Sequence, residues 1–170
     1  MKKLMCIITL LVASLTASAQ DVSFVNTESG LIARIVQECP NMQALYKAVK
    51  ISPYVTDAEK VDSTLIVGNL SVEDIDYEGA GFTRMRIPIY LSGNRIRGQF
   101  YIDYKSGKYR VTIYNMTLVA KDSSSASLNG YSSPIEDYTD QSGQLDSYIT
   151  PILGRQFSRY FSYTFESEDW

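Results

Sequence analysis

The sequence predicts an α+β domain, one antiparallel sheet with helices packed on one face, in the order β-α-β-β-β-β-α. Three observations carry this reading. The stretch "RIRGQFYIDY" (95–104) puts Ile96, Phe100 and Ile102 on one side of a strand and Arg95, Arg97, Gln99, Tyr101 and Asp103 on the other. Ser106 and Gly107 then form a two-residue hairpin loop into "KYRVTIYNMTLV" (108–119), because glycine tolerates the positive φ of primed turns. In "LDSYITPILGRQFSRYFSYTF", residues Leu145, Tyr148, Ile149, Ile152, Leu153, Gln156, Phe157, Tyr160 and Phe161 fall at i, i+3, i+4 spacing. That stripe is the mark of a helix lying on a sheet.

The remaining elements follow in chain order. "LIARIVQE" (31–38) is rich in β-formers and reads as the first strand. Asn41 caps a short helix after Pro40, with Leu45, Ala48 and Val49 on one face, ending by Ser52-Pro53. "TDAEKVD" (56–62) reads as a polar connection, and "STLIVGNLSV" (63–72) as a strand in which Gly68 marks a bulge or a close backbone approach. "FTRMRIPIYL" (82–91) alternates in polarity and reads as an edge or bulged strand, since Pro88 has no N–H to donate. Residues 121–143 are dominated by serine, glycine and aspartate and read as a long loop, with room for a short irregular strand near Tyr131. The final helix starts with Thr150 as cap and Pro151 at its first position, or an earlier turn kinks.

The N-terminus carries a separate signal. Lys2 and Lys3 precede an apolar run from Met5 to Leu15, which is too short to span a bilayer, and Ala17-Ser18-Ala19 supplies a cleavage pattern. We therefore expect residues 1–19 to be a signal peptide, residues 20–170 to form a single domain, and the protein to be exported to the periplasm or secreted. Removing Lys2 and Lys3 from 16 basic residues leaves 14 against 19 acidic ones, a net charge of −5. An acidic domain is not expected to bind nucleic acid. No stretch of the remaining chain is long and apolar enough to span a membrane.

The order of elements and three local pieces resemble a known family. The pieces are "STLIVGNLSV" (63–72), the strand pair "RIRGQFYIDYKSGKYRVTIYNM" (95–116) with its "KSGKYR" turn, and the helix "MQALYKAV" (42–49). The family is an uncharacterised domain of unknown function with a TATA-binding-protein-like (TBP-like) fold, found in exported proteins of Gram-negative gut bacteria. The resemblance covers roughly residues 31–120. It implies a fold and an exported location, and it assigns no catalytic residue. A fold shared with a transcription factor does not imply DNA binding.

The chemistry open to the chain is narrow. It has no histidine, which removes Ser-His-Asp and Cys-His catalysis and the usual zinc sites. Cys6 lies in the signal segment, so Cys39 has no disulfide partner within the exported chain and reads as a small buried residue near a strand end. No phosphate-binding glycine loop is present, and the residues imply no cofactor. Asp74, Asp76, Glu78 and Gly79 occupy positions 1, 3, 5 and 6 of a calcium loop, but position 12 is Met85 rather than a bidentate Glu. A solvated acidic turn is the expectation there, with a weak calcium site as the alternative. Asp74, Asp76, Asp103, Glu136 and Asp137 are the acids a carboxylate-pair hydrolase could recruit.

The open face of the sheet is the stronger candidate. With the apolar side under the helices, Arg84, Arg86, Tyr90, Arg95, Arg97, Gln99, Tyr101, Arg110, Thr112 and Tyr114 are expected to share the uncovered side. Arginine and tyrosine are favoured at recognition surfaces. The chain thus reads as a non-enzymatic binding domain for an envelope protein, a glycan, or a peptide added to the Pro88 strand edge. Its rivals are a metal-independent hydrolase with paired carboxylates and an assembly subunit of an envelope complex.

Overall fold

A computed structural model of the chain describes residues 22–165. The expected signal peptide, residues 1–19, lies outside the described residues. The strands are β1 (Ser23–Thr27), β2 (Gly30–Glu38), β3 (Val55–Lys60), β4 (Leu65–Val72), β5 (Asn94–Lys105), β6 (Lys108–Ala120) and β7 (Ser132–Pro134). The helices are α1 (Met42–Ile51), α2 (Ile89–Ser92), α3 (Ser123–Asn129) and α4 (Ile149–Tyr160). All pairings are antiparallel, in the order β1-β2-β6-β5-β4-β3, with β7 beside the C-terminal half of β6.

Side-chain alternation decides which face is buried. Ile96, Phe100 and Ile102 of β5 are fully buried, as are Ala33 and Ile35 of β2, Ile66 and Val72 of β4, and Val111 and Ile113 of β6. They pack against Leu45 and Val49 of α1 and against Ile149, Ile152, Leu153 and Phe157 of α4. The expected α+β class, with helices covering one face of an antiparallel sheet, is what the chain adopts. The hairpin also forms as read: Ser106 and Gly107 have φ of 50° and 77°, the pair of positive values that a type I′ turn requires.

A bulge holds the alternation in phase along β6. Between the pairs Arg97↔Thr117 and Gln99↔Tyr114 the register shifts, so Asn115 and Met116 share the space opposite Gly98. Asn115 takes a φ of 50° to make the step. Without it, Asn115 and Thr117 would face the core and Met116 and Leu118 would face water. With it, Met116 and Leu118 are each 1 % exposed.

Helix α1 starts as its sequence directs. The Asn41 side chain accepts a hydrogen bond from the Ala44 N–H, capping α1. Helix α4 starts earlier than expected, at Ile149, so Thr150 is helical rather than the cap. Pro151 is the third helical residue, inside the first turn, where its missing N–H has no helical partner to lose. The C-terminal chain is tied down by Tyr109, whose hydroxyl donates to the Phe161 carbonyl and lies 3.2 Å from Gln37 Oε1. Cys39 is buried near the end of β2, its thiol 3.1 Å from the Asn41 carbonyl and pushed up in pKa by burial.

Three expectations need correction. Residues 82–91 form turns and the short helix α2, not a strand: Ile87 and Leu91 are buried while Met85 and Ile89 are exposed. Burial at i and i+4 suits a single helical turn, and Pro88 sits at its N-terminus where a strand would have needed a donor. Residues 56–62 are not a plain connection but mostly edge strand β3. Its solvent-facing positions and the positive φ of Asp57 erase the alternation a strand normally shows. The serine-rich segment is not one long loop: Asp122 caps α3, Ile135 is fully buried, and Glu136 Oε1 accepts from the Leu31 N–H at 2.8 Å. The short strand expected near Tyr131 does form, as β7. Strand β1, which precedes the first element expected from the sequence, completes a hairpin with β2.

Two outcomes test this packing. A Cβ on Gly68 would lie 2.7 Å from Phe100 Cζ, and Phe100 is fully buried, so Gly68→Ala is expected to destabilise the domain by about 1–3 kcal/mol in urea unfolding. Burial holds the Tyr109 hydroxyl well above the ordinary phenol range. Its contribution is complete below the unfolded-chain pKa of about 10 and is lost as the pH rises beyond it. The urea midpoint should therefore fall above that pH, and Tyr109→Phe should lower the unfolding free energy at neutral pH by about 1–3 kcal/mol, since the buried Phe161 carbonyl loses its donor.

Candidate functional site

The uncovered face is built from cross-strand rows. One row runs Ser23, Arg34, Thr112, Tyr101, Val67, Glu59 across β1, β2, β6, β5, β4 and β3. The next runs Tyr114, Gln99, Asn69, Thr56. Tyr101 and Tyr114 are diagonal neighbours, with ring centroids 6.0 Å apart and planes at 51°. They stand beside a depression of about 520 Å³ that is also lined by Ile32, Arg34 and Thr112, with Thr27 and Ser29 at the β1–β2 turn.

The polar atoms of this depression are unusual. Thr112 is 1 % exposed, and its Oγ1 has no hydrogen-bond partner. Arg34 Nε, one strand away in direct register, is also inaccessible and unpartnered. Among the described residues the Arg34 side chain makes no ion pair and no hydrogen bond. Among the described residues the lining carries one cation and no carboxylate. Leaving a buried donor unsatisfied costs about 1–3 kcal/mol, so two adjacent ones need a reason.

The other arginines of the face are occupied. Arg95 and Arg97 both pair with Glu73, at 3.2 and 2.5 Å, and Arg97 also reaches Ser71 Oγ. Arg110 pairs with Asp103 across the β5–β6 ladder at 2.9 Å. Arg95, Arg97, Tyr101, Arg110 and Tyr114 therefore lie on the face as expected from the sequence. Arg84, Arg86 and Tyr90 do not. Arg84 and Arg86 are exposed in the turns after β4, and Tyr90 is half-buried on α2 beside Tyr138, with ring centroids 4.5 Å apart. Burial raises the Tyr90 hydroxyl to about 12. Their placement on the sheet rested on a strand that Pro88 prevents. Arg34 was missed as a site residue, although the alternation of "LIARIVQE" sets it apart from Leu31, Ala33 and Ile35.

A second hollow, of about 700 Å³, lies among Glu73, Asp74, Asp76, Glu78, Tyr54 and Tyr160, with Arg84, Lys121 and Arg159 on its walls. Three of its four acids have a basic partner, Glu73 among them through Arg95 and Arg97. Lys121 holds Asp74 at 2.7 Å, and Arg159 holds Asp76 at 2.9 Å. The Asp76 carboxylate also accepts from the Gly79 N–H, as an acidic turn does. Among the described residues no three acids converge as a cation would require, so the calcium alternative at Asp74, Asp76 and Glu78 finds no ligand set. The Arg97 hydrogen bond holds Glu73 below the usual carboxylate range, and Lys121 does the same for Asp74. Neither is the proton-bearing acid that glycoside hydrolysis uses. Of the other acids considered for that role, Asp103 is held by Arg110 and Glu136 by the Leu31 N–H.

No protein-family model and no curated protein matches this sequence. Two solved structures are similar to it. One is a TBP-like protein from Parabacteroides distasonis, at 9 % identity and a TM-score of 0.44, over 79 % of this chain and 85 % of that one. The other is a DUF4468 family protein from Bacteroides ovatus, at 10 % identity and a TM-score of 0.43, over 85 % of each chain. These descriptions accord with the TBP-like resemblance drawn from the sequence. The architecture itself rests on the strand order and the one-sided helix packing described above.

The ion pairs yield two expected outcomes. Arg97→Ala should raise the Glu73 pKa toward its ordinary value in an NMR carboxyl titration while leaving Tm nearly unchanged, because an exposed pair adds little stability. Glu73, Asp74, Asp122 and Asp140 all have lowered pKa values. Their contribution is present above the unfolded-chain value of about 4 and is lost as the pH falls below it, so thermal melts should show a declining Tm in that acid window.

Proposed function

We propose that this chain is a non-enzymatic, exported binding domain that takes its ligand on the open sheet face, in the depression beside Tyr101 and Tyr114. The observation that carries the reading is the pair of buried, unpartnered polar atoms, Arg34 Nε and Thr112 Oγ1, in a hollow without a carboxylate. Interior polar groups are normally satisfied, and exceptions cluster where something else supplies the partner. Export, to the periplasm or beyond, is supported by the basic start, short apolar run and Ala17-Ser18-Ala19 pattern.

The alternatives have less support. A peptide added at a Pro88 strand has no strand to join. Assembly through the open face calls for a broad apolar patch, yet among the described residues Val36 is the one large exposed apolar residue on its strands. A carboxylate-pair hydrolase needs a protonated acid opposite an ionised one, and Glu73, Asp74 and Asp76 of the larger hollow are held by Arg97, Lys121 and Arg159.

The test is residue-specific. Labelled protein is screened on glycan and peptide arrays, and the strongest binder is titrated against the 15N-labelled domain. Amide shifts are expected to centre on Arg34, Tyr101, Thr112 and Tyr114. The double variant Arg34→Ala/Tyr101→Ala should lose binding with a Tm close to that of the parent. Shifts confined to the acidic hollow, or binding unchanged in the double variant, would overturn the assignment.

A further inference from the structure

We infer that the open face recognises a carboxylate carried on a saccharide, a uronate unit, with the acid on Arg34 and Thr112 and the sugar ring against Tyr101 and Tyr114. The inference rests on the open-face reading and specifies its ligand.

The charge of the group follows from the lining. Arg34 supplies a positive charge, no acid shares the depression, and the two unpartnered polar atoms can both donate. Arg34 and Thr112 are direct cross-strand partners, so their side chains rise about 5 Å apart, within reach of the two oxygens of one carboxylate. Arg34 Nε and Thr112 Oγ1 are both closed to solvent, so binding requires the partly exposed Arg34 side chain to turn its Nε–H edge outward, where a guanidinium presents parallel donors to two coplanar oxygens, the geometry that carboxylates fit. The Thr112 hydroxyl then adds a third bond. The domain as a whole is acidic, which disfavours densely charged polyanions but leaves one local cation for one acid group.

The carrier follows from what lies around the acid. The depression sits over β2, β6 and β5, interior strands whose backbone donors and acceptors are spent on their neighbours. An extended peptide therefore finds no strand edge there. Ile32 is the sole aliphatic residue of the lining and is itself 8 % exposed, so no apolar pocket awaits a peptide side chain. Two tyrosines remain, tilted at 51°. Their ring faces suit the C–H surface of a pyranose and their hydroxyls suit its O–H groups.

The test uses paired probes: oligogalacturonate, its methyl ester, a neutral oligosaccharide, and a short peptide with a free C-terminal carboxylate. Each is titrated into the domain by calorimetry and NMR. The acid saccharide is expected to bind, and the ester to bind about tenfold more weakly or worse, a difference of about 1.4 kcal/mol. Arg34→Gln should abolish the preference for the acid. Thr112→Val should weaken acid binding while leaving Tm unchanged or raised, because it removes a buried unsatisfied hydroxyl. That opposite sign is something a merely structural threonine would not give. Equal binding of acid, ester and neutral sugar, lost in Tyr101→Ala, would overturn the carboxylate inference and leave the open-face reading standing. Binding of the peptide carboxylate alone, through Arg34, would overturn the saccharide. Acid binding insensitive to both Arg34→Gln and Tyr101→Ala would overturn inference and face together. No binding of any probe at millimolar concentration would overturn the inference, while the array screen judges the face separately.

Discussion

The packing of one helix on one side of the sheet is the constraint from which the rest descends. Helix α4 lays Ile149, Ile152, Leu153 and Phe157 on the β-layer, and Phe161 continues the contact with its ring 5.3 Å from Phe100. Phe24 of β1 meets Phe157 at 6.4 Å, which brings the first strand into the same core. Each such residue removed from water contributes about 1.5–3 kcal/mol, so the stripe of α4 is a major share of what holds the layers together. A sheet covered on one side must present water-tolerant groups on the other. Hence Arg34, Gln99, Tyr101, Arg110 and Tyr114 lie together without any of them being needed by the core.

Two backbone devices protect this two-sidedness. Gly68 lets Phe100 lie against the neighbouring strand, where a methyl group would collide with the ring. The bulge opposite Gly98 inserts one residue into β6 and so keeps Met116 and Leu118 under cover after the alternation would have turned them outward. Asn115 bears the strained φ and sends its side chain to Gln99 on the open face, at 2.8 Å. Core phase and surface pattern are therefore set by the same step in the chain.

On the open face the arginines differ by partner rather than by type. Arg95 and Arg97 converge on Glu73, and Arg110 meets Asp103, so each has a carboxylate against it. Arg95 also has an unpartnered Nε, but its terminal nitrogens reach Glu73 and the Lys121 carbonyl. Arg34 has no such relief among the described residues. Its neighbour in register is a threonine with the same deficit. The candidate site is thus defined by missing partners, and no count of basic residues would have located it.

Local physics made part of this legible in the sequence. The period-two pattern of 95–104 and 108–119, the Ser106-Gly107 turn, the Asn41 cap and the apolar stripe of 145–161 each act over a few residues, and each formed as read. Tyr101 and Tyr114 were legible as surface residues for the same reason. What failed was whatever depended on distant partners. Residues 82–91 alternate without pairing to anything, because alternation is a property of side chains and a strand is a property of two backbones. Edge strand β3 looked like a linker because neither of its faces is deeply buried. The serine-rich segment gains its order from β6 and from Leu31, far away along the chain. The sequence by itself determined the core-facing side of β5 and β6, because alternation within a strand is local. Only the tertiary structure decided which charges would find each other, since pairing Arg97 with Glu73 and leaving Arg34 alone is settled by strand register, a relation between segments that no single segment contains.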